Sequence, residues 1–349
     1  MATTFKNFLS NDIANTRTLL HEAIPVTGTI GSGTYSDNNI KEYGHGMFQS
    51  VYDYPYLSSS ANHIFDLTNG YSSNSSLYNT ANSQNSKKNN LYNNMAQVLV
   101  GYDQTGSLKR FANSDGTEMK DAVFINFARL LSKDEVKKGS FTMTAMTGGS
   151  NHATSPKLGV GAAPNTTMTI TDASGATGYR VDSPAGEYGY LFAAAAGTRS
   201  ELEVGQLYYQ AGIAILSGGL VFNGEYGAPD NTDQTASYSI LATGSTLNQN
   251  ADAFRNRLQN ISFNNTTELN STIYFCRVNH NDFNYSSNPT YLSGSKVRVK
   301  TRAADSPVTY ITTVGLYSAD NELLAVAKLS EPLRKAPDTE LTLRVRLDY

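Results

Sequence analysis

Leu341-Thr342-Leu343-Arg344-Val345-Arg346-Leu347-Asp348-Tyr349 closes the chain with a strict alternation, Leu341, Leu343, Val345, Leu347 and Tyr349 against Thr342, Arg344, Arg346 and Asp348. A period of two marks a β-strand with one face on a core and one in water. Just before it, residues 308–318 and 322–330 are apolar runs joined by Ala319-Asp320-Asn321, which predicts a hairpin with a short loop. Residues 272–278 and 296–302 add two further strands. The C-terminal part therefore supplies about five strands, enough for an antiparallel sheet that needs a covering layer.

Upstream, strands fit residues 140–146, 167–172, 188–194 and 206–216, while 123–131 suits either a strand or a helix. Helical spacing appears in three places. Phe5, Phe8, Leu9, Ile13, Thr16, Leu19 and Leu20 form an N-terminal stripe with Pro25 and Gly28 at its exit. Leu91, Met95, Val98, Leu99 and Tyr102 mark a second helix over 87–102, and Phe254, Leu258 and Ile261 a third over 248–261. Between them, 15 of the 23 residues in 72–94 are Ser, Thr or Asn, whose side chains compete for backbone hydrogen bonds and favour loop in its first part. No tandem repeat of fixed period stands out. The expected fold is mostly β with a few helices: antiparallel β-sandwich-like domains plus an N-terminal helical arm. The expected division is 1–120 (helical arm and Tyr-rich region), 121–225 (β-rich middle) and 226–349 (C-terminal antiparallel β).

Composition narrows the function. In 349 residues, 27 Lys+Arg face 30 Asp+Glu, and only 16% of residues are charged. Such a chain lacks the cationic footprint of a nucleic-acid binder. Residues 1–20 carry polar side chains throughout, unlike the apolar core of an export signal, and no run of about 18 apolar residues predicts a membrane span. There are 22 Tyr and 14 Phe but no Trp, a choice that suits half-exposed contact surfaces because Tyr joins contact area to a polar tip.

Reactive constellations are not evident. The glycines of 28–34 lack the Lys of a phosphate-binding loop and the spacing of a dinucleotide fingerprint. His21, His45, His63, His152 and His280 are scattered, with no pair one helical turn apart to grip zinc. Asn279-His280-Asn281-Asp282 follows a strand and forms a polar loop. Asp230 and Asp233 lack the Gly and terminal Glu of a calcium loop. Cys276 is the single cysteine and follows an apolar stretch, where a buried thiol is inert. No Gly-x-Ser-x-Gly elbow is present. The expectation is a non-enzyme with no cofactor and no metal, and with neither nucleic acid nor membrane as partner.

Two surface features remain. Extended geometry over 48–57 would align Phe48, Tyr52, Tyr54 and Tyr56 on one side, with Pro55 biasing Tyr54 towards that form. This stripe is a candidate partner interface, or a strand packed on its own sheet. Lys296, Arg298, Lys300 and Arg302 would form a basic face, most simply a solvated one.

Several stretches resemble virion structural proteins of T-even-like marine phages, the cyanophage-type myoviruses. They are Ile311-Thr312-Thr313-Val314-Gly315-Leu316-Tyr317, Asn321-Glu322-Leu323-Leu324-Ala325-Val326-Ala327-Lys328-Leu329-Ser330-Glu331-Pro332-Leu333 and Leu343-Arg344-Val345-Arg346-Leu347-Asp348-Tyr349. Residues 5–20 and Phe48-Gln49-Ser50-Val51-Tyr52-Asp53-Tyr54-Pro55-Tyr56-Leu57 belong with them. The resemblance covers both ends and weakens between residues 139 and 250. It implies a multicopy part of a contractile-tailed particle, in the tail or baseplate, partnered by other virion proteins and by copies of itself, and located in the virion after assembly in the host cytoplasm. No catalytic or ligand-binding residue comes with it. The alternative is a carbohydrate- or receptor-binding module of the virion, since Tyr and Asn on β-rich loops offer ring faces and hydrogen-bonding tips to a sugar.

Overall fold

A computed structural model describes residues 5–27, 37–146, 167–195, 199–221, 238–284, 292–293, 296–297 and 308–349. In chain order the elements are β1 (Ile13–Ile24), β2 (Ile40–Glu42), β3 (Gln49–Tyr52), β4 (His63–Tyr71), α1 (Asn85–Leu99), β5 (Asp121–Phe127), α2 (Arg129–Ser132), β6 (Glu135–Val136) and β7 (Thr142–Met146). Then follow β8 (Thr167–Thr171), α3 (Gly175–Gly178), β9 (Arg180–Ser183), β10 (Gly186–Ala195), β11 (Arg199–Tyr208), β12 (Ile213–Leu216), α4 (Gly218–Val221), α5 (Tyr238–Gly244) and α6 (Leu247–Arg257). The chain ends with β13 (Leu258–Val278), β14 (Leu292–Ser293), β15 (Lys296–Val297), β16 (Thr309–Tyr317), β17 (Leu323–Lys335) and β18 (Leu341–Asp348). The fold is mostly antiparallel β. Two compact units emerge, one of Leu20–Thr267 and one of Met1–Leu19 with Glu268–Tyr349; the boundaries expected near 120 and 225 both fall inside the larger unit.

In the larger unit, strand order runs β13-β7-β8-β10-β11-β12-β5-β4-β3-β2, one continuous sheet where the sequence suggested separate sandwich-like domains. Its central strands are apolar on both faces, the signature of a strand covered on both sides. On β5, Val123, Ile125 and Phe127 point into a core with Phe65, Leu67 and Leu216, while Ala122 and Phe124 point into a second core with Tyr92, Ala96, Leu99 and Ile215. Helix α1 closes the second core and sits unusually close to β4. A Cβ at Gly70 would lie 2.5 Å from the Lys88 carbonyl oxygen and 2.9 Å from the Tyr92 nitrogen, so only glycine admits the helix backbone there.

Helix α1 also buries Lys88, whose Nζ donates to the carbonyls of Ser83 (2.8 Å), Ala242 (2.7 Å) and Ser245 (2.7 Å). Three donors meet three acceptors, tying the Ser-rich loop, α5 and the start of α6 to one side chain. Helix α6 begins with a capping box: Thr246 Oγ1 accepts from the Gln249 N–H, and Gln249 Oε1 accepts from the Thr246 N–H at 2.9 Å.

Three expectations are corrected. The N-terminal helical arm is instead a 3₁₀ turn over Ser10–Asp12 followed by β1. Its helical spacing loses to β-branched Ile13, Thr16 and Thr18 and to pairing with β13, where Thr16 Oγ1 donates to the Ser271 carbonyl and Thr272 Oγ1 to Asn15 Oδ1. The stretch 206–216 is two strands, because Gly212, at φ +67, turns the chain between β11 and β12. The third helix stops at Arg257. Leu258, Ile261 and Phe263 are buried from β13, an apolar set whose spacing also satisfied a helix. For 123–131, strand and helix both occur, as β5 and then α2. The helix expected over 87–102 is α1, and the hairpin expected around Ala319-Asp320-Asn321 is β16–β17, with Asn321 at φ +62.

Gly70→Ala should lower the unfolding free energy by about 1–3 kcal/mol, the cost of overpacking against a backbone that cannot yield; an unchanged denaturation midpoint would contradict the packing described. Burial pushes the Lys88 pKa down to about 8 from 10.5. Between those values the unfolded chain holds more protons, so stability should rise with pH by up to about 1.4 kcal/mol per unit. Buried Tyr92, Tyr208, Tyr209 and Tyr238 are raised by desolvation, so their contribution is complete below pH 10 and is lost as pH climbs further. Denaturant titration across pH 7–11 should show a maximum near 10, and Lys88→Met should flatten only its rising limb.

Candidate assembly interface

Phe48, Tyr52, Tyr54 and Tyr56 do not form one extended stripe. Strand β3 stops at Tyr52 because Asp53 captures the far side of a loop: its carboxylate accepts the Asn62 N–H at 2.6 Å and Asn62 Nδ2 at 2.9 Å. The Asp53 N–H in turn donates to the Asn62 carbonyl at 3.1 Å. Tyr54 and Tyr56 ride on this loop, 49% and 37% exposed, with Leu57 at 85%.

The rings gather in two groups beside the short terminal strand β2. Phe48 lies 4.9 Å from Tyr43 and 5.1 Å from His45, which themselves stack at 5.2 Å; Lys41 Nζ sits 4.9 Å over the Tyr43 ring. Tyr52 lies 6.4 Å from Tyr56 and 5.5 Å from His63. A polar line joins the groups: Tyr43 Oη and Ser50 Oγ are 3.2 Å apart, Ser50 Oγ donates to Asp66, and His63 Nε2 meets Asp66 at 2.8 Å. Desolvation, aided by Tyr43, raises the Tyr52 pKa, so its hydroxyl stays protonated. The arrangement is a half-buried aromatic patch with satisfied polar tips, suited to contact and lacking an activated nucleophile.

The smaller unit presents the other surface. Both apolar cores of the described residues lie wholly within Leu20–Thr267. In the smaller unit only Val278, Leu316, Ala336 and Val345 are buried apolar side chains among the described residues, while 11 of the 21 exposed large apolar side chains lie there. Hairpin β16–β17 carries the largest share. Gly315 pairs with Val326 and Tyr317 with Leu323, so Gly315, Tyr317, Leu323 and Val326 fall on one face, and Tyr317, Leu323 and Val326 are 56%, 53% and 56% exposed. A Cβ at Gly315 would lie 3.0 Å from the Tyr317 ring and 3.3 Å from Leu323 Cδ1, so both side chains close over the glycine.

Among the described residues, the remaining sequence candidates do not come together in a reactive group. His280 Nδ1 meets Glu340 at 3.4 Å, both exposed. Burial raises the Cys276 thiol, which opposes reactivity. Asp230, Asp233, His152, Arg298, Lys300 and Arg302 lie outside the described residues, and of Lys296 only the backbone, in β15, is described. Among the described residues no group of three His, Cys, Asp or Glu side chains could hold a metal ion, and no helix is long and apolar enough to cross a membrane. One feature escaped the sequence reading. Residues 102–108 and 112–118 make the same turn, with bridges Tyr102↔Leu108 and Ala112↔Glu118 and positive φ at Gly106 and Gly116. Asp103 and Asn113, each followed three residues on by Gly and then by Ser or Thr, were the available signal.

Compared with known proteins, the chain matches no family model, no curated protein and no solved structure.

Asp53→Ala should speed amide exchange at Asn62 at least about tenfold, since hydrogen bonds to a carboxylate are worth roughly 1.5–3 kcal/mol. Protection in β4 and β5 should stay as it is. Unchanged exchange at Asn62 would mean that another contact holds the loop.

Proposed function

We propose that this chain is a structural subunit of a contractile-tailed phage particle, in the tail or baseplate, which works by protein–protein assembly with other virion proteins and copies of itself. The observation that carries the reading is the smaller unit: long strands whose apolar side chains are left in water. An isolated two-stranded ribbon is marginal in water and gains stability when a second layer covers its face. On this reading the sandwich-like packing expected from the sequence is completed by neighbouring subunits, which bury Tyr317, Leu323 and Val326 of one face. The aromatic patch of the larger unit adds an anchor of the type enriched at contact centres. Low charge density and the resemblance at both chain ends agree with a subunit that needs contact area and no reaction chemistry.

Tyr52→Ser, Tyr54→Ser and Tyr56→Ser combined should abolish incorporation into particles, scored by mass spectrometry of purified virions, while the isolated chain keeps its melting temperature. Leu323→Lys with Val326→Lys should do the same through the hairpin face. Normal incorporation of both variants would sink the assembly reading. Binding of the unassembled wild-type chain to a glycan array, lost in the Tyr triple variant, would favour the receptor-binding alternative.

A further inference from the structure

Hairpin β16–β17 sorts charge along its length as well as exposing an apolar face. At its tip, residues 318–322 form a closed turn. The Ser318 N–H donates to the Glu322 carbonyl at 2.8 Å, and Ser318 Oγ accepts the N–H groups of Asp320 at 3.2 Å and Glu322 at 3.1 Å. This turn fixes two exposed acidic residues, Asp320 and Glu322, at one end of the ribbon. Further along, Lys328 pairs with Thr313. Thr313 alternates with Gly315 and Tyr317, and Lys328 with Val326, so Lys328 stands on the same face as Tyr317, Leu323 and Val326. The opposite face is the packed one, with Leu316 only 6% exposed. Lys335 is spent inside the unit: fully buried, its Nζ donates to Asn284 Oδ1 at 2.7 Å and to the Ala336 and His280 carbonyls at 2.9 Å and 3.1 Å, which roots the ribbon at its base. Among the described residues, Asp320, Glu322 and Lys328 have no ion-pair partner within the chain.

We propose that the layer covering this face is the same face of a second copy of the chain, the two hairpins stacked with their strands reversed about a two-fold axis beside Gly315. This rests on the assembly reading and names one of the neighbours. A two-fold interface must be self-complementary, each feature meeting its counterpart at equal distance from the axis. The hairpin meets that condition. Lys328 lies opposite Thr313 and Glu322 opposite Ser318, so their midpoint along the ribbon falls between Gly315 and Leu316. Reversal about that point brings Lys328 to the partner's Glu322, and symmetry makes the pair twice. Between the two ion pairs, Tyr317, Leu323 and Val326 bury against the partner's copy of the same apolar face. Stacking with the strands parallel would set acid against acid and ammonium against ammonium, so charge selects the reversed orientation. The Lys328 stem lies across apolar surface while its head reaches the carboxylate. One hairpin face is smaller than the roughly 800 Å² per partner of a standard interface, so the contact is weak in isolation and gains strength where many copies are held together.

The test treats the purified full-length wild-type chain, at rising concentration, with a carbodiimide that joins an amine to a carboxylate in contact with it. Within one hairpin Lys328 and Glu322 are about 17 Å apart at roughly 3.4 Å per residue, so a peptide joining them reports a second copy. That peptide is expected in the cross-linked dimer, with sedimentation equilibrium showing a concentration-dependent rise from the mass of one chain towards two. Lys328→Glu and Glu322→Lys should each weaken the association about tenfold or more, and the two combined should restore most of it. Recovery in the combined variant excludes misfolding as the cause of the loss. A wild-type chain that stays monomeric, or a dimer that neither charge variant weakens, would overturn the proposal. The assembly reading is judged separately, by virion incorporation. A monomeric chain whose Leu323→Lys, Val326→Lys variant is still shut out of particles would keep that reading and assign this face to a different virion protein.

Discussion

Apolar burial is unequally shared, and the rest of the molecule follows from that. Residues Leu20–Thr267 hold two apolar cores on opposite faces of their central strands. The smaller unit keeps its strands together by other means. Strands β13 and β18 pair residue by residue from Ser271↔Asp348 to Val278↔Leu341, and polar contacts brace them: Arg277 binds Asp12 at 2.6 Å, Arg17 binds Glu268, and Arg346 Nε binds Asp348 at 2.7 Å. Exposed ion pairs contribute about 0–1 kcal/mol each and cannot replace a core. A structure of this kind gains stability from a layer that covers it.

Polar side chains do complementary work in the larger unit by fixing loops to the cores. Lys88 gathers three carbonyls, Asp53 closes the 53–62 loop, and Asp172 accepts the N–H groups of Gly139 at 2.7 Å and Phe141 at 2.8 Å. Each is a charged group whose hydrogen-bonding capacity meets fixed backbone partners, the condition under which a buried charge is tolerable. The aromatic patch is carried on one such loop, so the position of Tyr54 and Tyr56 depends on Asp53 rather than on strand geometry.

Much of this was legible in the sequence where one period dominates. Alternation in 341–349 marks β18, Ala319-Asp320-Asn321 marks the hairpin turn, and three- and four-residue steps mark α1. Legibility failed where two periods fit the same residues. Leu258 and Ile261 have helical spacing but are buried from one strand through a bulge between Leu258 and Asn260, and residues 5–20 have helical spacing but find hydrogen-bond partners along β13. It failed again where a single side chain redirects the backbone, as Asp53 does after Tyr52. The Phe48, Tyr52, Tyr54 and Tyr56 cluster was visible as composition and not as geometry. Tyr43, His45 and His63 join it through β2 and β4, a pairing no local pattern announces. Lys335 and Asn284 are 51 residues apart, so only the folded chain brings them together.

On the proposed assembly role, the edges of the smaller unit constrain contact as much as its faces do. An exposed hydrophobic strand normally invites strand addition and aggregation, and proteins counter this with bulges, Pro and charge. Strand β17 has all three. Ile311 pairs with Leu333 but Thr313 pairs with Lys328, so residues 329–332, Glu331 and Pro332 among them, bulge out of the ladder, with Lys328 and Arg334 in the paired segments on either side. Strand β18 turns Arg344, Arg346 and Asp348 outward. An edge interrupted in this way disfavours a continuous intermolecular ladder, whereas Tyr317, Leu323 and Val326 leave an apolar face exposed. On the proposed assembly role, contact through such a surface would be face to face, between layers, with specificity from shape and the register of side chains and not from backbone pairing.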